Sequence, residues 1–262
     1  MRRQWATVVF MALVAGGAWA HAAAASQRLT LHYDVYYLLL PVLSVDVASD
    51  TEASAYSTRV ALRTAGIFAT LAPWHADAVA HGRIAGGTLR PAAYRASSAF
   101  HERRQQIDLE YADGGAVLGS VNGVLTDGDR EPVPDDLRHG TIDPITASAV
   151  VAQRLAATGS CAGVVPIFDG LRRYDLVYED LGMTEIGPSR RDPYRGPARL
   201  CRASIRSIAG FLRTGDRAGE RATEIRTWLA PPLAGAAPVA VRIDLSGTRG
   251  TLHVHLASAA VP

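Results

Sequence analysis

The chain has 262 residues, 48% of them apolar, and a net charge of +2, enough for one large domain with a sizeable core. Without Arg2 and Arg3 the charge is about zero, so the composition carries no nucleic-acid footprint. No lysine is present, which excludes a P-loop lysine, a Schiff-base lysine and a Ser-Lys dyad.

Arg2 and Arg3, the apolar run from Trp5 to Ala15 and the small residues after it have the three regions of a secretory signal. Ala18-Trp19-Ala20 places cleavage before His21; Ala23-Ala24-Ala25 places it before Ser26. The run is short of the about 20 apolar residues that span a bilayer, and an uncleaved anchor is the alternative. The expectation is a signal peptide over 1–20 and a single exported, soluble, periplasmic domain over 21–262, with no stable membrane span after cleavage. Two cysteines in such a chain, Cys161 and Cys201, predict one disulfide, with a pair of free thiols as the alternative.

The body reads as antiparallel strands. Leu29, Leu31, Tyr33, Val35 and Tyr37 alternate with polar residues, Val45 and Val47 resume the pattern after Pro41, and Tyr56, Thr58, Val60 and Leu62 continue it. A short helix is predicted from Ala65 to Leu71. Strands follow at Ala92–Phe100 and Arg104–Tyr111, with a hairpin turn at Ala112-Asp113-Gly114-Gly115. Thr126 to Gly140 reads as a loop, after which Asp143-Pro144 caps a helix that runs through Leu155. Val164–Phe168 and Arg172–Tyr178 form a hairpin around Asp169-Gly170, read as a type I′ turn. A second loop covers Gly187 to Pro197. The last strands are Leu200–Phe211, Thr223–Leu229, Val239–Leu245 and Thr251–Leu256. This pattern, with two short helices, predicts one strongly curved antiparallel sheet or open β-barrel.

The order of landmarks resembles a known family. Leu31-His32-Tyr33-Asp34-Val35-Tyr36-Tyr37 opens it, followed by Thr64-Ala65-Gly66 with Pro73-Trp74, and Leu89-Arg90-Pro91 with Tyr94. Then come Asp143-Pro144, Cys161, Phe168-Asp169-Gly170, Arg173-Tyr174-Asp175, Cys201, Ile208-Ala209-Gly210-Phe211 and Trp228-Leu229. This resembles the exported bacterial proteins grouped as domain of unknown function (DUF) 3108. The resemblance implies a periplasmic β-rich fold, related in shape to lipoprotein carriers, and implies no activity. Leu38-Leu39-Leu40-Pro41 stands where the resemblance would place a glycine-containing turn.

Candidate chemistry centres on Arg172, Arg173 and Tyr174. On a strand, Arg172, Tyr174 and Leu176 share one face while Arg173 and Asp175 share the other. Either the arginines fork onto a carboxylate or phosphate headgroup, or the hairpin is structural, with Arg173 beside Asp175 and Tyr174 on the core. Twelve arginines against nine acids between Asp169 and Arg226 could favour an anionic membrane surface or form a solvated face. His253 and His255 point the same way on a strand, but two imidazoles do not make a metal site without further ligands, so no metal and no cofactor is assigned. Trp74 and Trp228 are candidates for the lining of an apolar cavity, or else core residues. No nucleophile elbow, dinucleotide fingerprint or local triad is present. The sequence therefore points to a non-catalytic envelope protein, holding a lipid or other apolar ligand in its concave sheet. The alternatives are an interaction module that meets an envelope protein through the Asp169–Asp175 hairpin, or a hydrolase whose site is assembled across strands.

Overall fold

The computed structural model of the chain describes residues 27–123, 130–189, 192–212, 224–248 and 250–262. The predicted signal segment with both its cleavage points, part of the Thr126–Gly140 loop and the predicted strand start at Thr223 lie outside the described residues.

Seven strands form a first meander: β1 (Gln27–Tyr37), β2 (Leu40–Thr51), β3 (Ala55–Thr64), β4 (Trp74–Ala85), β5 (Thr88–Phe100), β6 (Arg103–Tyr111) and β7 (Val117–Asn122). The short helix α1 (Phe68–Leu71) lies between β3 and β4. After α2 (Asp135–Arg138) and α3 (Pro144–Thr158), a second meander follows: β8 (Gly163–Phe168), β9 (Arg173–Ile186), β10 (Gly196–Ala209), β11 (Glu224–Ala230), β12 (Val239–Gly247) and β13 (Gly250–Ala260). β1 and β13 pair antiparallel and fuse the two into one 13-stranded sheet, with β7 and β8 at its edges. The expected open, strongly curved antiparallel sheet is the one observed.

Period-two alternation explains the sheet's two faces. Leu29, Leu31, Tyr33 and Val35 of β1 point inward, as do Leu252, Val254 and Leu256 of β13, and all are buried. Register shifts at Val35/Tyr36, His81/Gly82 and Trp228/Leu229 add local twist, and two of them absorb prolines: Pro41 pairs with Tyr36 and Pro91 with Gly82. Pro166 sits on the edge strand β8, where a missing N–H costs no inner ladder bond.

Helix α3 fills the inner face. Asp143 caps it by accepting from the Thr146 N–H at 2.8 Å, Pro144 occupies its first turn and Gly159 ends it. Its buried residues, among them Ile145, Ala147, Val151 and Leu155, join the same core as the strands. The helix packs on β4, β5 and β8, and β4 makes room for it by presenting Ala76, Ala78 and Ala80 inward. β4 and β7 were not anticipated from sequence. The alanine-rich inner face of β4 has too little hydrophobic contrast to read as a strand. α2 was also unforeseen, so the described residues hold three helices rather than two.

The two edges are held together without a shared ladder. Gly140 N–H donates to the Gly115 carbonyl in the β6–β7 turn, and Ile142 pairs in parallel with Ile167 of β8. The Cys161–Cys201 disulfide, with both residues fully buried, ties the chain after α3 to β10. In the chain-entropy account a loop with a separation of 40 residues stabilises the fold by about 4 kcal/mol.

Candidate functional site

The dense polar segment is an inward-folded hairpin tip. Asp169 N–H donates to the Arg172 carbonyl, and the turn between them has Gly170 at φ 92° but Leu171 at negative φ. A type I′ turn needs two positive φ values, so the expected turn type is corrected. The Asp169 carboxylate organises the turn: Oδ1 accepts from the N–H groups of Leu171 and Arg172, and Oδ2 accepts from the Arg172 guanidinium at 2.7 and 2.9 Å. Both side chains of this pair are more than nine-tenths buried. The Arg172 guanidinium also lies over the rings of Tyr174 and Phe211.

Arg173 turns to the other face, where it bonds Asp175 at 2.6 Å and the Leu137 carbonyl at 3.0 Å. Arg206 from β10 grips the second Asp175 oxygen. Burial alone would raise the Asp175 carboxyl, but the hydrogen bonds from Arg206 and Arg173 outweigh it and hold the group below its ordinary value. Both guanidiniums of the predicted fork are therefore engaged within the chain, and the tip is buried against Ile107 and Gly210. The Asp169–Asp175 hairpin is not an exposed docking tip. Among the described arginines of the stretch around it, Arg199 pairs with Asp180, Arg202 with Glu179 and Arg226 with Glu224.

Beneath the tip, the inner face carries a polar cluster that the sequence did not announce. Tyr56, Tyr94 and Tyr111 come from three strands, Tyr174 from a fourth, and Asp143 and Thr146 from the start of α3. The Tyr56 hydroxyl shares a 2.9 Å hydrogen bond with Thr146, whose hydroxyl lies 2.6 Å from Asp143. Burial raises Tyr94, Tyr111 and Tyr174 well above the ordinary tyrosine value, so they stay neutral. Burial also raises Asp143, to about 6, against the lowering effect of its Thr146 hydrogen bonds.

The other candidates are dispersed. Trp74 points inward into the core, whereas Trp228 points outward and stacks under the Arg242 guanidinium at 4.7 Å. The two lie on opposite faces, so the expectation that they line one cavity is corrected. His253 and His255 share the outer face as expected. His253 Nδ1 lies 2.8 Å from Asp244, and His255 Nδ1 lies 3.3 Å from Asp192, a buried residue of the loop after β9. Among the described residues no group of three or more His, Cys, Asp or Glu is placed to hold a metal. A shallow groove of 380 Å³ lies on the outer face across β13, β1, β2 and β3, with Thr30, His32, Asp46 and Arg59 in its lining.

One end of the sheet exposes a group of aliphatic side chains. Leu38, Leu39 and Leu40 at the β1–β2 reversal and Ile67 and Leu71 around α1 are each more than half exposed. Ala65 N–H donates to the Val42 carbonyl, and Gly66 packs against Pro41, which brings the two reversals side by side. Leu38 adopts φ 56°, a left-handed conformation that a non-glycine residue reaches only at a cost. The Leu-Leu-Leu-Pro run interrupting the alternation, and the i, i+4 spacing of Ile67 and Leu71, were the available signals. They read as turn and helix rather than as a surface because exposure is decided by tertiary packing.

No curated protein matches the chain. In fold it is similar to the crystal structure of a beta-barrel-like protein of domain of unknown function DUF1849 from Brucella abortus. The identity is 9% and the TM-score 0.50, with 90% of this chain and 98% of that one covered. One family, described as protein of unknown function (DUF3108), matches residues 32–255. That span runs from within β1 to within β13 and takes in the disulfide and the Asp169–Arg172 turn, and the chain belongs to this family.

Proposed function

We propose that the chain is an exported, non-catalytic protein of the cell envelope that acts by docking through its aliphatic end. The observation that carries this reading is the contrast between a filled interior and an unfilled surface. α3 and the inward side chains of both meanders occupy the concave face, where a lipid carrier would need space. Leu38, Leu39, Leu40, Ile67 and Leu71 stand in solvent as one neighbouring group, and exposed apolar groups of this kind mark interaction sites. The docking role thus passes from the Asp169–Asp175 hairpin to the two reversals beside β2 and α1.

The hydrolase reading has less support. Every described histidine lies on the outer face or in an exposed reversal, away from the interior cluster. The buried disulfide and the signal-like amino terminus support the periplasmic reading.

A photoreactive residue at Leu39 in the exported protein tests the proposal, with Arg95 on the outer face of β5 as control. The expected result is a covalent adduct at Leu39, lipid or protein, seen in the mass of the recovered protein, and none at Arg95. Equal absence at both positions overturns docking through this end.

A further inference from the structure

The aliphatic end has a charged collar. Arg63 faces His75, His75 faces Ala99, and Ala99 faces Arg104, so the three basic side chains lie in one cross-strand row of the outer face. All three are exposed. The row lies immediately below the reversals: Arg63 stands two residues before Ala65, and Arg104 two residues after Glu102. Exposed His101 adds to it at the β5–β6 reversal, Arg103 lies on the opposite face of β6, and Glu102 is the single acid within 38–42, 65–73 and 101–104.

Resting on the docking reading above, we propose that the occupant of this end is an anionic lipid surface. The exposed members of the patch are all aliphatic, whereas protein interfaces concentrate their binding energy in Trp, Tyr and Arg and seldom in Leu. A bilayer boundary asks for no complementary pocket: it accepts aliphatic side chains to a depth of about 5–10 Å. Two adjacent reversals bearing five such side chains suit that depth. At the same time Arg63 and Arg104 come level with the lipid phosphates, which their guanidiniums bind.

Flotation of the mature protein with phosphatidylcholine vesicles, with and without phosphatidylglycerol, tests this. Binding is expected to the phosphatidylglycerol vesicles and to weaken as salt is raised. Arg63→Gln and Arg104→Gln should each lower partitioning about fivefold on those vesicles. The double variant Leu39→Asp/Leu71→Asp should lower it at least about tenfold, with an unchanged melting temperature because both positions are exposed. Failure of the wild type to float at low salt, or flotation of the aspartate variant equal to wild type, overturns the proposal, and the first of these results involves no variant. The Leu39 photoadduct separates the two levels of the argument. A protein adduct, including a second copy of this chain, without flotation removes the lipid surface and leaves docking standing. No adduct and no flotation removes both.

Discussion

Gly170 of the β8–β9 turn packs directly against Ile107 of β6, across the open side of the sheet where no ladder joins the edges. A Cβ at Gly170 would overlap Cγ2 of Ile107, an atom fixed to a branched Cβ that cannot swing away. On the other side of the tip, a Cβ at Gly210 would overlap the Leu171 carbonyl. The turn is thus wedged between elements far apart in sequence. Gly170→Ala combines this overlap with a positive φ and should destabilise the fold by about 2–4 kcal/mol, measured by urea denaturation. A loss under about 0.5 kcal/mol would mean that the seam closes without this contact.

The Asp169–Arg172 pair makes the same turn electrostatically expensive to disrupt. Removing the carboxylate leaves a buried guanidinium and two turn N–H groups without their acceptor. Asp169→Ala should therefore cost about 3–5 kcal/mol. Arg202→Ala, which removes an exposed partner of Glu179, should cost less than about 1 kcal/mol. Thermal or chemical melts of the two variants should differ accordingly. Equal losses would show that burial of the pair is not what sets its value.

Asp143 supplies a pH signature. Its folded value of about 6 lies above the ordinary 3.8, so between them the folded protein holds a proton that the unfolded chain has released. Stability from this group is present below about 4 and is lost as the pH rises through about 6, a difference near 3 kcal/mol. Asparagine keeps an acceptor for the Thr146 N–H and cannot ionise. Asp143→Asn should therefore gain on the wild type by up to about 3 kcal/mol between pH 4 and pH 7, and the remaining carboxylates cancel in the comparison. A pH-independent difference between the two proteins, from denaturation at both ends of the range, would count against a buried, ionising Asp143.

The particular residues show what was legible in the sequence. Asp143-Pro144 announced α3 because a cap and a first-turn proline are local chemistry, and the helix begins there. Arg173 beside Asp175, with Tyr174 on the core, followed from strand alternation alone. The length of α3 and the strand β4 did not follow, because Ala76, Ala78 and Ala80 are small only in answer to a helix about seventy residues away. The polar cluster of Tyr94, Tyr111 and Asp143 is assembled from distant strands and has no linear pattern. Leu38 to Leu40 were visible as an oddity at a turn, but whether a turn faces neighbours or solvent depends on the fold around it.

Leu38 gives the sharpest test of why that oddity is there. Its left-handed backbone costs about 1–2 kcal/mol relative to glycine, and its side chain, 66% exposed, gains little burial in return. Leu38→Gly should relieve the strain, partly offset by the greater freedom of glycine in the unfolded chain, for a net gain of about 0.5–1 kcal/mol. If the aliphatic end docks as proposed, the same change should weaken flotation with phosphatidylglycerol vesicles, since one of its exposed side chains is gone. Stability and binding would then move in opposite directions at a single residue, as expected where strain is kept for a functional surface. A less stable glycine variant would show instead that the Leu38 side chain serves the fold, and Leu39 and Leu71 would become the cleaner positions at which to read docking.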